Sequence, residues 1–505
     1  MSYAATLPDV PPPYLLPTSS AITILIIYYG ALSVITLYAL HRLYLLRLKG
    51  GSALPSTAGP LDAEWPPICV QLPLFNEPAV AVRLMEATGR LEYPGRFEIQ
   101  VLDDSTDDTT ARLSCTIEGL RANGVQVEHI RRGSRTGYKA GALAFGMTRS
   151  RAELFAIFDA DFVPAPDTLI RMAPQFTDPE VGMVQARWTH LNRDESALTQ
   201  AQAIYLDAHF SIESSARFAA GRFFNFNGTA GIWRRSAIDG AGGWSSATLT
   251  EDLHLSYRAQ LAGWKFVFLP DVQVPAELPP TMGAFQEQQF RWAKGSIQTA
   301  RRLIGSISHA SLPLATKLES FFHLTSNSAY LVTLVLSFIL VPALQIRRAL
   351  QGNWLYAADF LLFAVSTISV MWFYLEGQRR VGRMRPRWRD LSLLIPIGIG
   401  LSIRNSVAVL EGLVHEGGEF RRTPKRGSSP ALLERAERIP LAESLLALHF
   451  AIASITALID LQLASLPFLT LFLTGYAFTA ISGWRDRWIS RESTRPDEAL
   501  ERCTA

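Results

Sequence analysis

The residues of this chain that could do chemistry lie in four short motifs. An Asp-x-Asp pair in a loop suits a divalent cation that also bridges a substrate diphosphate, because such cations prefer oxygen ligands. On a helix, Gln288, Arg291 and Trp292 share one face, where they could hold a phosphate and stack on a sugar. In chain order the motifs are Asp103-Asp104, Asp159-Ala160-Asp161, Thr250-Glu251-Asp252 and Gln288-Gln289-Phe290-Arg291-Trp292.

Each motif taken alone also has a plainer explanation. Acidic pairs at helix starts commonly cap the helix. Glu251 and Asp252 could simply interact favourably with the positive end of the helix dipole. A helix with Arg291 and Trp292 could dock to a membrane interface. No P-loop is present, and no G-x-G-x-x-G follows the first predicted strand, so NTP hydrolysis and nicotinamide redox chemistry lose support.

Strands that alternate with helices must position these motifs. The pattern predicts strands over residues 67–73, 97–102, 125–130, 154–158 and 182–187, and helices over 80–91 and from Thr250 as the cap residue. This spacing predicts a parallel or mixed α/β sheet. Ligands of open α/β sheets bind beyond the carboxyl ends of the strands, where Asp103-Asp104 and Asp159 would lie.

The composition identifies membrane segments around this α/β part. Of the 505 residues 48% are hydrophobic and only 18% are charged. Residues 20–40, 320–346 and 461–484 contain no Asp, Glu, Lys or Arg and are long enough to cross a hydrocarbon core of about 30 Å. A net charge of +3 is too small to indicate a nucleic-acid partner. Three dispersed cysteines argue against a disulfide framework or a zinc site.

The placement of basic residues predicts the orientation in the membrane. The first twenty residues contain no Lys or Arg, whereas Arg42, Arg47 and Lys49 follow the first predicted span at once. By the positive-inside rule the N-terminus lies outside and the soluble domain is cytoplasmic. We therefore expect a multi-pass protein of the plasma (inner) membrane whose chemistry takes place on the cytoplasmic side.

One apolar segment, residues 391–413, is interrupted by Pro396, Arg404 and Glu411. We expect an amphipathic helix in the inner interface, and a true span is the alternative. The predicted organisation is an extracytoplasmic N-terminus (1–19), a first span (20–43), a cytoplasmic catalytic domain (44–301), an interfacial segment (302–320), two spans (321–376), an interfacial helix and loop (377–440), two spans (441–484) and a cytoplasmic tail (485–505).

In this order, and inside a membrane-anchored α/β domain, the four motifs resemble the processive family 2 glycosyltransferases of the cellulose synthase superfamily. The string Asp103-Asp104-Ser105-Thr106-Asp107 looks most like the cellulose synthase-like A mannan and glucomannan synthases and their bacterial relatives. The resemblance covers roughly residues 64–301. It implies a Rossmann-like α/β domain of the glycosyltransferase A type, inserted in an α-helical membrane domain with about five spans.

The resemblance also implies roles for the donor side of the site. Asp103 and Asp104 would bind the nucleoside with Lys139 nearby, and Asp159 and Asp161 would hold Mg²⁺ or Mn²⁺ on the diphosphate. Residues 419–425 resemble the gating loop of cellulose synthases. The remaining donor-side residues that the resemblance implies are Gln288, Arg291, Trp292, Thr423 and Lys425.

On the acceptor side the resemblance implies that Asp252 is the general base. The base would take a proton from the acceptor hydroxyl as that hydroxyl attacks the anomeric carbon, and a single displacement of this kind inverts the configuration. The other acceptor-side residues that the resemblance implies are Asn227, Gly228, Thr229, Glu251 and Trp292.

The expected function is therefore synthesis of a β-linked glucan, mannan or glucomannan from UDP-glucose or GDP-mannose, with the growing glycan as acceptor and contact with membrane lipid. A lipid glycosyltransferase that adds a single sugar is the alternative in the same fold. A transporter or receptor that only binds nucleotides has less support, because Asp359 and Asp460 are unevenly placed and no repeat is visible. Donor identity, linkage and protein partners stay open.

Overall fold

The computed structural model describes residues 18–48, 64–350, 353–383, 391–418 and 439–493. Within these residues, the soluble part is built around one mixed sheet in the order β3-β2-β1-β4-β6-β5-β7. The strands are β1 (Ile68–Leu74), β2 (Phe97–Asp103), β3 (Val127–Ile130), β4 (Leu154–Ile157), β5 (Val181–His190), β6 (Gly231–Arg234) and β7 (Lys265–Ala276).

The first four strands are parallel, β6 runs antiparallel between β4 and β5, and β5 is parallel to β7. Every residue of β4 is buried, as expected for a strand that is covered on both faces. The five predicted strands and the α/β class are confirmed, and the sheet is of the mixed type. Strands β6 and β7 were missed, because β6 has only four residues and two prolines interrupt β7.

Helices cover both faces of the sheet and connect its strands. The predicted helix over residues 80–91 is shorter than expected, because it ends at Thr88. The helices of the soluble part are α2 (Ala81–Thr88), α3 (Thr109–Ala122), α4 (Tyr138–Arg149), α5 (Thr168–Met172), α6 (Ala197–Ala208), a π-helical turn (His209–Ser214), α7 (Ser215–Ala219), α8 (Arg235–Gly240) and α9 (Glu251–Leu261), with short 3₁₀ turns at Ala173–Thr177 and Arg193–Glu195.

Two further helices join the sheet to the membrane segments. Among the described residues five helices are long and apolar enough to cross a membrane, as expected of a membrane protein. The second such helix begins at Ser328, because part of the apolar window 320–346 belongs to a separate helix that ends at Thr325. The joining helices are α10 (Met282–His309) and α11 (Leu314–Thr325), and the five candidate spans are Ser19–Arg47 in α1 (Thr18–Arg47), Ser328–Ala349 (α12), Trp354–Arg380 in α13 (Asn353–Arg380), Leu441–Ile459 (α16) and Leu463–Ile489, which contains a 3₁₀ turn (Leu463–Ser465) and most of α17 (Leu466–Ser493).

The interrupted apolar segment forms two helices, α14 (Leu394–Gly400) and α15 (Ser402–Val414), bent by 55°. Its charges face α10: Arg404 donates to Glu287 at 2.9 Å, and Glu411 accepts from Lys294 at 2.8 Å. These ion pairs give a protein partner to the two charges that interrupt the apolar run. Whether the segment lies in the interface or crosses the membrane stays a prediction.

The close approach of α15 to α10 requires a glycine at position 412. A Cβ there would lie 2.8 Å from the carbonyl oxygen of Lys294 and 3.0 Å from Cβ of Ile297. The two helices therefore touch along their backbones at this point.

We expect Gly412→Val to lower the free energy of unfolding by about 1–3 kcal/mol, the usual cost of overpacking. The midpoint of thermal unfolding of the purified protein measures this. Gly305→Val is the matched control, because a Cβ at Gly305 of α10 meets open space. Equal shifts in the two variants would show that the α10–α15 contact is not tightly packed.

Candidate active site

A cleft of about 1300 Å³, open to solvent, lies at the carboxyl ends of β1, β2 and β4. Strands β1 and β2 end at the same level, since Leu74 pairs with Asp103. Asp103 and Thr229 lie outside its lining, and Thr423 and Lys425 lie outside the described residues. The predicted residues that the structure brings together in its lining are Asp104, Lys139, Asp159, Asp161, Asn227, Gly228, Glu251, Asp252, Gln288, Arg291 and Trp292.

Asp103 is buried and shapes the loop after β2. Its carboxylate accepts hydrogen bonds from the backbone N–H of Ser105 at 2.9 Å and from the hydroxyl of Thr110 at 2.7 Å, and it lies 3.0 Å from His129 Nε2. Removal from water would raise the pKa of Asp103, but these hydrogen bonds outweigh it and hold the pKa well below its usual range. Asp103 therefore stabilises the loop that begins at Asp104 and does not itself line the cleft.

Asp104 lines the cleft and is fixed by Arg132, which sequence reasoning missed. The guanidinium donates to both carboxylate oxygens, one of them at 2.9 Å, and also to the carbonyl oxygens of Thr136 and Tyr138. A bidentate pair of this kind has a defined geometry. Arg132 thus ties the end of β2 to the start of α4, and no motif in the sequence signals it.

Lys139 connects the acidic groups of the cleft. Its ammonium donates to Asp159 Oδ1 at 2.5 Å and to the carbonyl oxygen of Gly228 at 2.8 Å. Removal from water would lower the pKa of Lys139, but the charges of Asp159 and Glu251 outweigh it and raise that pKa. Lys139 therefore stays charged.

Asp159 and Asp161 follow β4 and fit a divalent cation that takes part of its shell from a substrate. The hydroxyl of Thr229 accepts a hydrogen bond from the backbone N–H of Asp159 at 2.8 Å and so orients the turn. Among the described residues there is no cluster of three or more His, Cys, Asp or Glu side chains that could hold a metal by itself. Two carboxylates with substrate phosphates and water form the shell that Mg²⁺ typically takes.

Asp252 lies at the start of α9 against the backbone of Gly228. A Cβ at Gly228 would lie 2.9 Å from Asp252 Oδ2, and this glycine has φ +83°. Removal from water and the charge of Glu251 raise the pKa of Asp252 to about 7. Removal from water also raises the pKa of Glu251. A carboxylate that titrates near pH 7 is matched to the work of a general base.

Thr250 occupies the cap position of α9 as predicted, but its side chain makes no capping hydrogen bond. The close packing of α10 explains this, since a Cβ at Gly295 would lie 2.6 Å from Thr250 Oγ1. Gln298 on α10 accepts from the backbone N–H of Leu249 at 2.9 Å and donates to the carbonyl oxygen of Gly417 at 2.7 Å. The helix that carries Gln288, Arg291 and Trp292 is therefore locked to the turn that carries Asp252.

Trp188 and His190 at the end of β5 also line the cleft and were missed. They follow the predicted strand 182–187, and this position was the available signal, because the same position identified Asp103-Asp104 and Asp159. An indole in such a cleft offers a face on which a sugar ring can stack.

The comparisons with known proteins agree with this geometry. Residues 66–295 match the family model described as glycosyltransferase like family 2. The chain carries a family 2 glycosyltransferase domain. The predicted resemblance to this family is confirmed.

The relatives of the chain include plant enzymes. It is 42% identical over 291 residues to the probable glucomannan 4-beta-mannosyltransferase 7 of Oryza sativa subsp. japonica, and the match covers 55% of this chain and 49% of that protein. It is 36% identical over 342 residues to the glucomannan 4-beta-mannosyltransferase 1 of Cyamopsis tetragonoloba, with 64% and 65% covered. The chain spans about half the length of the first relative and about two thirds of the second.

Among solved structures, a mannosyltransferase from Pyrobaculum calidifontis in complex with GDP-Man and Mn²⁺ is similar, with a TM-score of 0.50 and 20% identity. The likeness covers 78% of this chain and 98% of that one. At this identity it shows the fold, which confirms the glycosyltransferase A type.

Thr229→Val tests the support of the Asp159 turn. The valine keeps the volume but leaves the backbone N–H of Asp159 without its acceptor, which we expect to cost about 1–3 kcal/mol of the free energy of unfolding. Thr229→Ser keeps the hydroxyl and serves as the control. Denaturant unfolding measures both, and an equal stability of the two variants would contradict the role of this hydrogen bond.

Proposed function

We propose that this protein is a membrane-embedded inverting glycosyltransferase that polymerises a β-linked mannan or glucomannan from GDP-mannose. The observation that carries the proposal is the Asp252 carboxyl, whose pKa is raised to about 7, in one cleft with Asp159, Asp161 and the residues of α10. The names of the plant relatives, glucomannan 4-beta-mannosyltransferases, favour GDP-mannose over UDP-glucose as donor.

The donor would lie along the acidic and basic side chains between β1 and α10. Asp104 would contact the nucleoside, and Asp159 with Asp161 would hold Mg²⁺ or Mn²⁺. A divalent cation there supplies neutralisation of the charge that develops on the leaving diphosphate. Lys139 and Arg291 add two positive charges beside it. Thr423 and Lys425 remain proposed diphosphate contacts that lie outside the described residues.

Asp252 would accept the proton of the acceptor hydroxyl. As the hydroxyl oxygen bonds to the anomeric carbon, the bond from that carbon to the diphosphate breaks, and its electron pair leaves with the nucleoside diphosphate. Attack from the opposite face converts an α-linked donor into a β-linkage. The site needs no second carboxylate as nucleophile for this single displacement.

The position of the cleft suits a product that has to meet the membrane. Helix α10 lines the cleft with Gln288 and Trp292 and packs on α15, which carries Arg404 and Glu411. We infer that the domain lies on the cytoplasmic side of the plasma (inner) membrane and that the growing glycan leaves the cleft toward the spans. A polar chain cannot cross lipid unaided, so a path through protein is required.

The donor and the product are tested with the purified protein in lipid nanodiscs. We expect labelled sugar from GDP-mannose, in the presence of Mg²⁺ or Mn²⁺, to enter a polymer that a β-mannanase degrades. UDP-glucose and UDP-N-acetylglucosamine are run in parallel. A labelled product that extracts into organic solvent would instead identify a lipid glycosyltransferase that adds a single sugar.

The base is tested through the pH dependence of turnover. Because Asp252 must be deprotonated to accept a proton, we expect kcat to fall as the pH drops below about 7. Asp252→Asn should lose about 10²–10⁴-fold in kcat and still bind the donor. Glu251→Gln removes a charge that raises the pKa of Asp252, so the pH below which kcat falls should be lower in this variant. An unchanged pH dependence would show that another group controls the rate.

A further inference from the structure

A row of largely enclosed His, Glu and Arg side chains runs from beside the cleft to helix α1. His209 Nδ1 lies 3.0 Å from Glu213 Oε2, and Arg217 Nη1 lies 3.5 Å from the same oxygen. Arg217 Nε donates to Glu319 at 2.9 Å, and Glu319 lies 2.8 Å from His41 Nε2 on α1. His209, in the π-helical turn His209–Ser214, forms the end of this row and contacts Asn227, which lines the cleft.

The hydrogen bonds around Asn227 fix the proton on one ring nitrogen of His209. Asn225 Nδ2 donates to the carbonyl oxygen of Phe226 at 3.1 Å, so this end of the Asn225 amide is the nitrogen. The same Nδ2 lies 3.1 Å from the side-chain atom of Asn227 that also faces His209 Nε2 at 3.0 Å. That atom must therefore be the acceptor Oδ1, and Nε2 must carry a proton.

The other ring nitrogen, Nδ1, faces Glu213. Removal from water would raise the pKa of Glu213, but the hydrogen bond with His209 and the charge of Arg217 hold it well below its usual range. The ring of His209 is therefore held between Glu213 and Asn227.

Because Oδ1 of Asn227 is held by His209 and Asn225, the amide nitrogen Nδ2 can donate a hydrogen bond to a substrate. Nδ2 makes one long hydrogen bond, 3.4 Å to the carbonyl oxygen of Asn225, among the described residues. Asn227 lines the cleft, and the next residue, Gly228, lies against the carboxylate of Asp252. A hydrogen-bond donor at this point lies next to Asp252, the proposed base.

We propose that His209 is a positioning residue for the acceptor: its Nε2–H orients the Asn227 amide so that Nδ2 donates to a hydroxyl oxygen of the acceptor sugar near Asp252. This role rests on the proposed function. The π-helical turn serves it by placing His209 between Glu213 and Asn227, and such turns are frequent at functional sites.

The role depends on the proton at Nε2. A bare nitrogen would face Oδ1, two acceptors would repel, and the Asn227 amide would turn and present Oδ1 to the cleft.

Two amide substitutions separate the two bonds of His209. In His209→Gln the side-chain amide nitrogen reaches the position of Nε2 and keeps the hydrogen bond to Asn227. In His209→Asn the side-chain amide nitrogen reaches the position of Nδ1 and keeps only the hydrogen bond to Glu213. With labelled GDP-mannose and a short β-linked manno-oligosaccharide as acceptor, we expect kcat/KM for the acceptor to fall about tenfold in His209→Asn and less than about threefold in His209→Gln. The KM for the donor should stay within about twofold in both.

A purely structural role for the bond to Glu213 predicts the opposite order of the two variants, and that result would overturn the proposal. If the unsubstituted protein transfers no sugar, the proposed function fails. If it transfers sugar and the two variants are equally active, only the role of His209 fails.

A second measurement does not depend on activity. Nitrogen-15 NMR of histidine-labelled protein reports whether each ring nitrogen carries a proton, and the signal of His209 is assigned by its loss in His209→Gln. We expect Nε2 of His209 to carry a proton. A ring whose Nε2 carries no proton would overturn the proposal, even if the variants lose activity.

Discussion

Two cations, Lys139 and Arg291, balance the carboxylates of the cleft, and the site depends on this balance. Carboxylates withdrawn from water are costly unless they are paired, and Lys139 is bonded directly to Asp159. Removal from water raises the pKa values of Glu251 and Asp252, and the charge of Lys139 offsets this only in part. This difference between the carboxylates suits the separate roles proposed for Asp159 as a metal ligand and for Asp252 as the base.

Helix α10 connects the cleft to the membrane part of the chain. Gly295 allows its backbone to touch Thr250, and Gly412 allows α15 to touch α10 from the other side. Lys294 and Glu411 add an ion pair across the second contact. Because α10 is packed between the turn of Asp252 and a membrane-side helix, the cleft cannot move far relative to the membrane helices without breaking one of these contacts.

Much of this architecture was predictable from the sequence, because apolar runs, turn residues and strand-end acids are local signals. Strand β6 was not, since its four residues form a strand only by pairing with β4 and β5. Arg132 and His209 were missed for the same reason: their partners lie far along the chain or depend on a π-helical turn. Arg404 and Glu411 read as breaks in an apolar run, whereas their charges are paired with α10.

The most direct test of the account is an experimental structure of the protein with a non-hydrolysable GDP-mannose analogue, Mn²⁺ and a short β-linked manno-oligosaccharide. The account predicts anomalous density for Mn²⁺ between Asp159, Asp161 and the diphosphate, with the acceptor hydroxyl within hydrogen-bond reach of Asp252. A nucleotide bound away from Asp159 and Asp161, or an acceptor hydroxyl out of reach of Asp252, would contradict it.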